Sequence, residues 1–444
     1  MEDNHVGTHQ QNKDDGCYGI ANIYKVEVGQ LSTQHNSNHV SSIKKMLSDL
    51  HPMTEECSIY RVSKRLHNIH DMAFAPQDIS IGPFHHGRKE LMAMEQLKLR
   101  FLHGYLRRVG MEVKAAFDIA REWEIRARKC YAEPIDMKSE DFVTMMLVDG
   151  CFLVELFIMD YEFSGTQTQL SYPLFSAIST DLLHDLIPLE NQLPYFILEC
   201  LFKISDYSCI DCIVGYLGGW YIGAHVLPKV PTREANHLVD LLSFYYAIPT
   251  VTISGNNGQE WERPPTATQL KEAGVKFQKA TDCKHITDIS FQDGVLKIPC
   301  FQITTTFETH VRNLLAFEHY YHLGHHKRCL QYFSFLDDLI NTEKDVNLLV
   351  EAGIISNNIG GNNENIAKLF NDMVKHANIT SYIFYYSQIS LNLRKYCKTQ
   401  CHRWMASLRR DYFNTPWTFI SFLAATFLIL LTVVQTLYSA LSYS

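Results

Sequence analysis

From Asn414 to Ser444 the chain runs 31 residues without a charged side chain. Within that run, Trp417 to Leu437 supplies 21 mostly apolar positions. As a helix they would span about 31 Å, against a bilayer hydrocarbon core of about 30 Å. Thr418, Ser421, Thr426 and Thr432 can return their hydroxyls to helix carbonyls, which makes them tolerable in lipid. Trp417 and Tyr438 fall near the two ends, where amphipathic rings favour the membrane interface. A buried core helix of this length would ordinarily carry some charge. The stretch therefore predicts a single C-terminal transmembrane helix over 417–437, with Trp417, Leu428, Leu431 and Leu437 among its anchoring side chains.

The flanks predict an orientation. Residues 391–410 contain Arg394, Lys395, Lys398, Arg403, Arg409 and Arg410 and no acid. The positive-inside rule places such a collar, and the large part preceding it, in the cytosol. Met1 to Gly19 lacks the apolar core of a secretory signal, so a tail anchor in the plasma membrane or an endomembrane is expected. Membrane lipid is then a partner, because the collar attracts anionic headgroups. Cys397 and Cys401 lie in the same stretch, where reversible acylation is chemically open.

Composition sets further bounds. The 444 residues are 46% hydrophobic and 20% charged, enough to bury a sizeable core. The formal charge of −8 argues against a general nucleic-acid binder, and twelve scattered Cys do not make a disulfide scaffold. Residues 1–56, rich in His, Asn, Gln and Ser, read as a polar mobile leader. A helical first half is expected over 57–253. Leu91, Met94, Leu97, Phe101, Leu102 and Tyr105 recur there at helical spacing, and Phe142 to Tyr161 and Ala235 to Ala247 are apolar over helical lengths. Pro188 and Pro194 bracket Leu189-Glu190-Asn191-Gln192-Leu193, so one helix should end near Ile187 and another begin near Pro194.

The turn-formers of 254–265 predict a linker. An α+β second half with the basic juxtamembrane stretch follows over 266–410. Asp293-Gly294 between apolar runs signals a hairpin, and Pro299 should end its second strand or place it at an edge. Ile366, Leu369, Phe370, Met373 and Val374 form one helical stripe. The fold class expected is mainly α with a small antiparallel β element.

Chemistry is sparsely signalled. His85 and His86, between Gly82-Pro83 and Gly87, could act as an acid/base pair, or one could simply hydrogen-bond its own turn. His319, His322, His325 and His326 have some of the spacing of a metal cluster, although an exposed polar helix end reads equally from the same residues. Cys209 and Cys212 form a lone C-x-x-C and read as buried thiols. Phosphate loops, dinucleotide fingerprints and hydrolase elbows do not occur. No cofactor and no small-molecule substrate is signalled.

Several stretches together resemble one family, the plant membrane proteins called domain of unknown function 247. They are Ile59-Tyr60-Arg61-Val62, Ser80 to Gly87, Asp149-Gly150-Cys151-Phe152 with Glu155-Leu156, and Leu189 to Pro194. Further along come Gly274 to Phe277, Arg312-Asn313-Leu314 with Ala316-Phe317-Glu318, Asp345-Val346, Gly353-Ile354-Ile355, Phe370-Asn371, Trp404 with Ala406, and Tyr412 to Trp417. Ser63 stands where Pro is usual after the Arg-Val pair, and His319 follows Glu318 where Gln is usual. The resemblance covers about Cys57 to Gln435. It implies a plant protein with a C-terminal membrane helix, no defined catalytic residues, and a link in some relatives to recognition during reproduction. The expectation is a membrane-anchored interaction or signalling module with protein partners. The alternative is a membrane-bound hydrolase using the His85-His86 segment.

Overall fold

A 26-residue helix, Ser139–Ser164, is the pillar of the computed structural model. Its sequence is apolar nearly all round, the pattern of a helix covered on every side. By length and hydropathy Ser139–Glu162 could cross a membrane, yet 89% of an 18-residue apolar stretch within it is buried inside the protein. The structure describes residues 33–48, 56–164, 182–221, 235–246, 262–281, 283, 285–320, 328–375, 385–399 and 416–442. It divides into two compact units, Met1–Pro52 and Met53–Ser444.

The first unit contributes α1, Thr33–Ser48. In the second, α2 (Lys64–His67), α3 (Glu95–Val109) and α4 (Val113–Lys129) precede the pillar, α5. Then come α6 (Tyr195–Ser205), α7 (Cys209–Tyr221) and α8 (Leu238–Ser243). Helices α3, α4, α6 and α7 all pack on α5. The apolar heptad read from Leu91 onwards forms a 3-10 turn, Lys89–Met94, that runs into α3. A helical turn over 182–186 stops before Pro188 and α6 starts after Pro194, as the two prolines require.

Beyond residue 262 lie α9 (Ala267–Glu272), β1 (Lys276–Ala280), β2 (Ser290–Gln292), β3 (Val295–Pro299) and β4 (Phe301–Ile303). They are followed by α10 (Phe307–Tyr320), α11 (Arg328–Leu339), α12 (Glu343–Glu351), β5 (Ile355–Asn357), α13 (Asn363–Val374), α14 (Ser387–Lys398) and α15 (Pro416–Ser442). The expected hairpin is present. Asp293 and Gly294 have φ of 50° and 76°, a tight turn with both central residues left-handed, and β2 and β3 pair antiparallel. Gly294 has a second reason to be Gly, because a Cβ there would lie 2.6 Å from Tyr396 Oη.

The β structure is not the antiparallel element expected. β1 pairs parallel with β3, from Lys276 opposite Val295 to Ala280 opposite Pro299, so the sheet order is β1-β3-β2 and the sheet is mixed. A second pair, β4 with β5, is parallel and matches Phe301 to Ile355. The turn chemistry of Asp293-Gly294 fixes one neighbour of β3; nothing local fixes the other, which arrives by a crossover. β3 is thus central, and Pro299 closes it at its last residue.

Apolar side chains from Ile59 to Cys397 form one continuous core cluster. Phe301, Phe307 and Phe370 meet in its second part, with Phe333 and Tyr246 beside them. Asn313 on α10 ties the two parts by polar contact. Its amide donates to Ala73 O at 2.6 Å, and its Oδ1 accepts from Leu189 N at 2.8 Å. Residues 254–261 of the expected linker, most of 1–56, and 400–410 of the basic stretch lie outside the described residues.

A protease site inserted between Ser254 and Gln259 should therefore cut the chain without separating it. The two fragments should co-elute in size-exclusion chromatography under native conditions and part only in denaturant. Fragments that elute separately would show two independent cores.

Candidate functional site

The loop 77–82 enters the interior, burying Ile79 to Gly82, and buried backbone donors need partners. Side chains from three other segments supply them. Asp185 accepts from the amides of Gln77, Asp78 and Ile79 at 2.8, 2.6 and 2.8 Å. Asn191 Oδ1 accepts from Ile81 N at 2.7 Å, while its Nδ2 donates to Ile79 O and Asp185 O. Asp149, on the pillar α5, accepts from Gly82 N at 2.9 Å. Gly82 itself has φ of 73°, and a Cβ there would lie 2.5 Å from Gln192 O, so the position admits only Gly.

Asp149 is balanced by Lys98 of α3, whose Nζ lies 2.7 Å from Asp149 Oδ1 and 2.8 Å from Glu95 Oε1. Burial alone would lower the Lys98 ammonium, but Asp149 and Glu95 outweigh it and hold it above its ordinary value. Gln192 completes the turn after Pro188. Its amide donates to Leu186 O and Pro188 O, and its Oε1 accepts from Leu238 N.

Glu190, beside them, gathers a separate charged group. It accepts from Val62 N at 2.8 Å, faces His67 Nε2 at 2.8 Å, and lies 3.5 Å from both Arg61 Nη1 and His85 Nε2. The other nitrogen of His67 meets Asp71 Oδ1 at 2.8 Å. Two acceptor-only neighbours call for the doubly protonated ring. Burial opposes this, but the hydrogen bonds to Glu190 and Asp71 prevail and raise the His67 pKa. Arg61 also stacks over Phe84, 4.4 Å from the ring centre.

The sequence-derived candidates fall differently. His85 is 1% exposed, and neither ring nitrogen finds a hydrogen-bond partner among the described residues. The expected hydrogen bond from one of the two histidines to its own turn is not made by His85. Burial pulls its pKa down to about 3, with the charges of Arg88, Arg61 and His67 adding to the effect, so it is neutral near pH 7. His86 is exposed. The pair thus diverges, one ring inside and one outside. Among the described residues no nucleophile is hydrogen-bonded to His85.

His319 is exposed near the end of α10, and His322, His325 and His326 lie outside the described residues. Among the described residues no group of three His, Cys, Asp or Glu is arranged to hold a metal. Cys209 and Cys212 are unpaired, and burial pushes both thiols up, to about 12 and about 11. Unreactive thiols fit that environment. Cys397 is buried on the inner face of α14, which is unfavourable for acylation; Cys401 lies outside the described residues.

In the second part the same theme recurs. Glu318 accepts from the amides of Cys329 and Leu330 and so closes the start of α11. Asp345 bridges the starts of α9 and α12, accepting from Thr268 N and Oγ1 and from Thr342 N and Oγ1. Of the basic collar, Arg394 is engaged inward. Its Nε donates to Arg263 O and lies 3.4 Å from Glu262, while Arg263 approaches the largely buried Asp338 at 3.6 Å. Lys395 and Lys398 are exposed; Arg403, Arg409 and Arg410 lie outside the described residues.

A mostly helical domain whose internal polar groups fasten its own loops, with an apolar helix exposed over Ile420–Ser439, is the class of protein these features define. The profile of the plant family DUF247, described as plant protein of unknown function, matches residues 59–431, and the chain belongs to that family. A UPF0481 protein of Arabidopsis thaliana is 27% identical over 425 residues, covering 88% of this chain and 87% of the relative. A putative UPF0481 protein of the same plant is 23% identical over 484 residues, covering 85% and 89%. No solved structure matches.

Thermal melts should separate the two kinds of buried polar group. Lys98→Met leaves Asp149 buried without its counter-charge and should cost about 3–5 kcal/mol. His85→Leu removes a ring with no hydrogen bonds to lose, so its effect should stay within about 1 kcal/mol. Equal losses would contradict the assignment.

Asp338 gives a pH test. Burial raises its pKa to about 7 against the opposing charge of Arg263, with Asp337 beside it at about 6. A carboxyl raised above its unfolded value favours the fold when protonated. That contribution is complete below about pH 4 and is lost as pH rises through about 7. Asp338→Asn should therefore match the parent Tm at about pH 3.5 and exceed it by a few degrees at pH 8. A Tm difference that does not change with pH would contradict the shift.

Proposed function

We propose that the protein is a membrane-anchored interaction module, held by α15 and presenting the helical domain to protein partners. One observation carries the reading. An 18-residue stretch of Ile420–Ser439 is as apolar as one in the pillar segment Ser139–Glu162, but 0% of it is buried against 89%. Leu428, Leu431 and Leu437 are 62, 49 and 60% exposed. An exposed twenty-residue helix this rich in apolar side chains is unfavourable in water, and a bilayer is the surrounding that matches its length. Thr426 and Thr432 return their hydroxyls to Phe422 O and Leu428 O, as lipid requires of them.

The domain side of the reading comes from how the polar side chains are used. Asp149, Asn191 and Asn313, all in the family-like stretches, accept from buried backbone amides of the protein itself. Partner binding on the outer surface asks nothing more of them. The basic stretch over 391–410 supports a cytosolic domain, with anionic lipid drawn to Lys395 and Lys398.

The full chain expressed in plant cells should remain with membranes through alkaline carbonate and be released by detergent. A chain ending at Thr415 should be soluble. Asn378, the single Asn-x-Ser/Thr sequon with a permitted middle residue, should stay unglycosylated. A glycosidase-sensitive mass shift that Asn378→Gln abolishes would place the domain on the opposite side. Recovery of the full chain in the carbonate supernatant would end the anchoring proposal.

A further inference from the structure

Resting on that anchoring, we propose that α1 is a second membrane contact, lying in the interface of an anionic leaflet. Helix α1 belongs to the unit Met1–Pro52, and residues 39–48 are exposed along its length. Val40, Ile43, Met46 and Leu47 are 50, 55, 66 and 61% exposed. At about 100° per residue these four share an arc of about 120°, the apolar stripe of an amphipathic helix. In water that stripe is a cost, and a surface that covers it is favoured.

Charge identifies the surface. Lys44 lies at the edge of the stripe and Lys45 on the far side, and Thr33–Ser48 contains no Asp or Glu. The whole chain nevertheless has a formal charge of −8. A cationic, apolar-striped helix on an acidic chain fits anionic headgroups above acyl chains, with lysine stems reaching back to the polar layer. The stripe covers only about two turns, short for a helix that must find a membrane unaided. Attachment through α15 removes that demand, because it keeps α1 at high local concentration beside the same bilayer. The chain would then touch the membrane near both ends.

The test uses the full chain with photoreactive benzoylphenylalanine in place of Ile43, or in place of Ser41 on the polar face as control. It is reconstituted into vesicles of phosphatidylcholine alone or with about one third phosphatidylserine. Flotation is scored first: a chain that fails to float overturns the anchoring, and this inference with it. In floating vesicles, irradiation should yield lipid adducts from position 43 several-fold above position 41. Phosphatidylserine should raise the yield, and Lys44→Gln with Lys45→Gln should lower it. Floating chains whose position 43 crosslinks to residues of Met53–Ser444 or to a second copy, or reacts with lipid no more than position 41, would overturn the interfacial helix and leave the anchor standing.

Discussion

Backbone amides taken out of water must find acceptors, and the loop 77–82 is where this protein meets that demand most heavily. Asp185, Asn191 and Asp149 reach it from 67 to 110 positions away along the chain. A peptide donor left without a partner in an apolar interior costs on the order of 1–3 kcal/mol. Several such donors in one loop approach the whole stability of an ordinary domain. The loop, the turn between Pro188 and Pro194, and the pillar α5 therefore form as one unit or not at all.

Charge is handled by the same economy of contacts. Asp149 is brought into the core to hold Gly82, and the Lys98 ammonium balances it at 2.7 Å while also meeting Glu95 at 2.8 Å. Glu155, one helical turn and more along α5, receives both Nε and Nη2 of Arg108 at 2.9 Å. The pillar can carry two acids because neighbouring α3 presents a cation to each. Gln192 and Asn313 extend the scheme outward, to Leu238 N and to Leu189 N, so the network also reaches α8 and α10.

How much of this could be read beforehand varies with the range of the interaction. Short-range signals succeeded: Asp293-Gly294 specified its hairpin, and Pro188 and Pro194 specified where helices stop and start. The stripe Ile366, Phe370, Met373 and Val374 specified the buried face of α13. Interactions between distant segments were not legible. Nothing near Val275 says that β1 will join β3 in parallel, and nothing near Asp185 says that its carboxylate serves residues 77–79. A polar residue inside an apolar helix, such as Asp149, is a signal that something must pair with it, but Lys98 is 51 positions away. Paired histidines drew attention to His85 and His86, whereas the ring that meets two carboxylates is His67, which no local pattern marks.

Among the described residues, Asp185, Asn191 and Asp149 serve the protein's own main chain, and the apolar residues of 420–439 are exposed. The pivotal element is the fastening of the loop 77–82. Native-state hydrogen exchange on the full chain in detergent reads it amide by amide. The amides of Gln77, Asp78, Ile79, Ile81 and Gly82 should exchange only with the slowest core amides of α5, and Asp185→Ala should speed the first three together. Rapid exchange of these amides beside a fully protected α5 would contradict the structural role assigned to Asp185, Asn191 and Asp149.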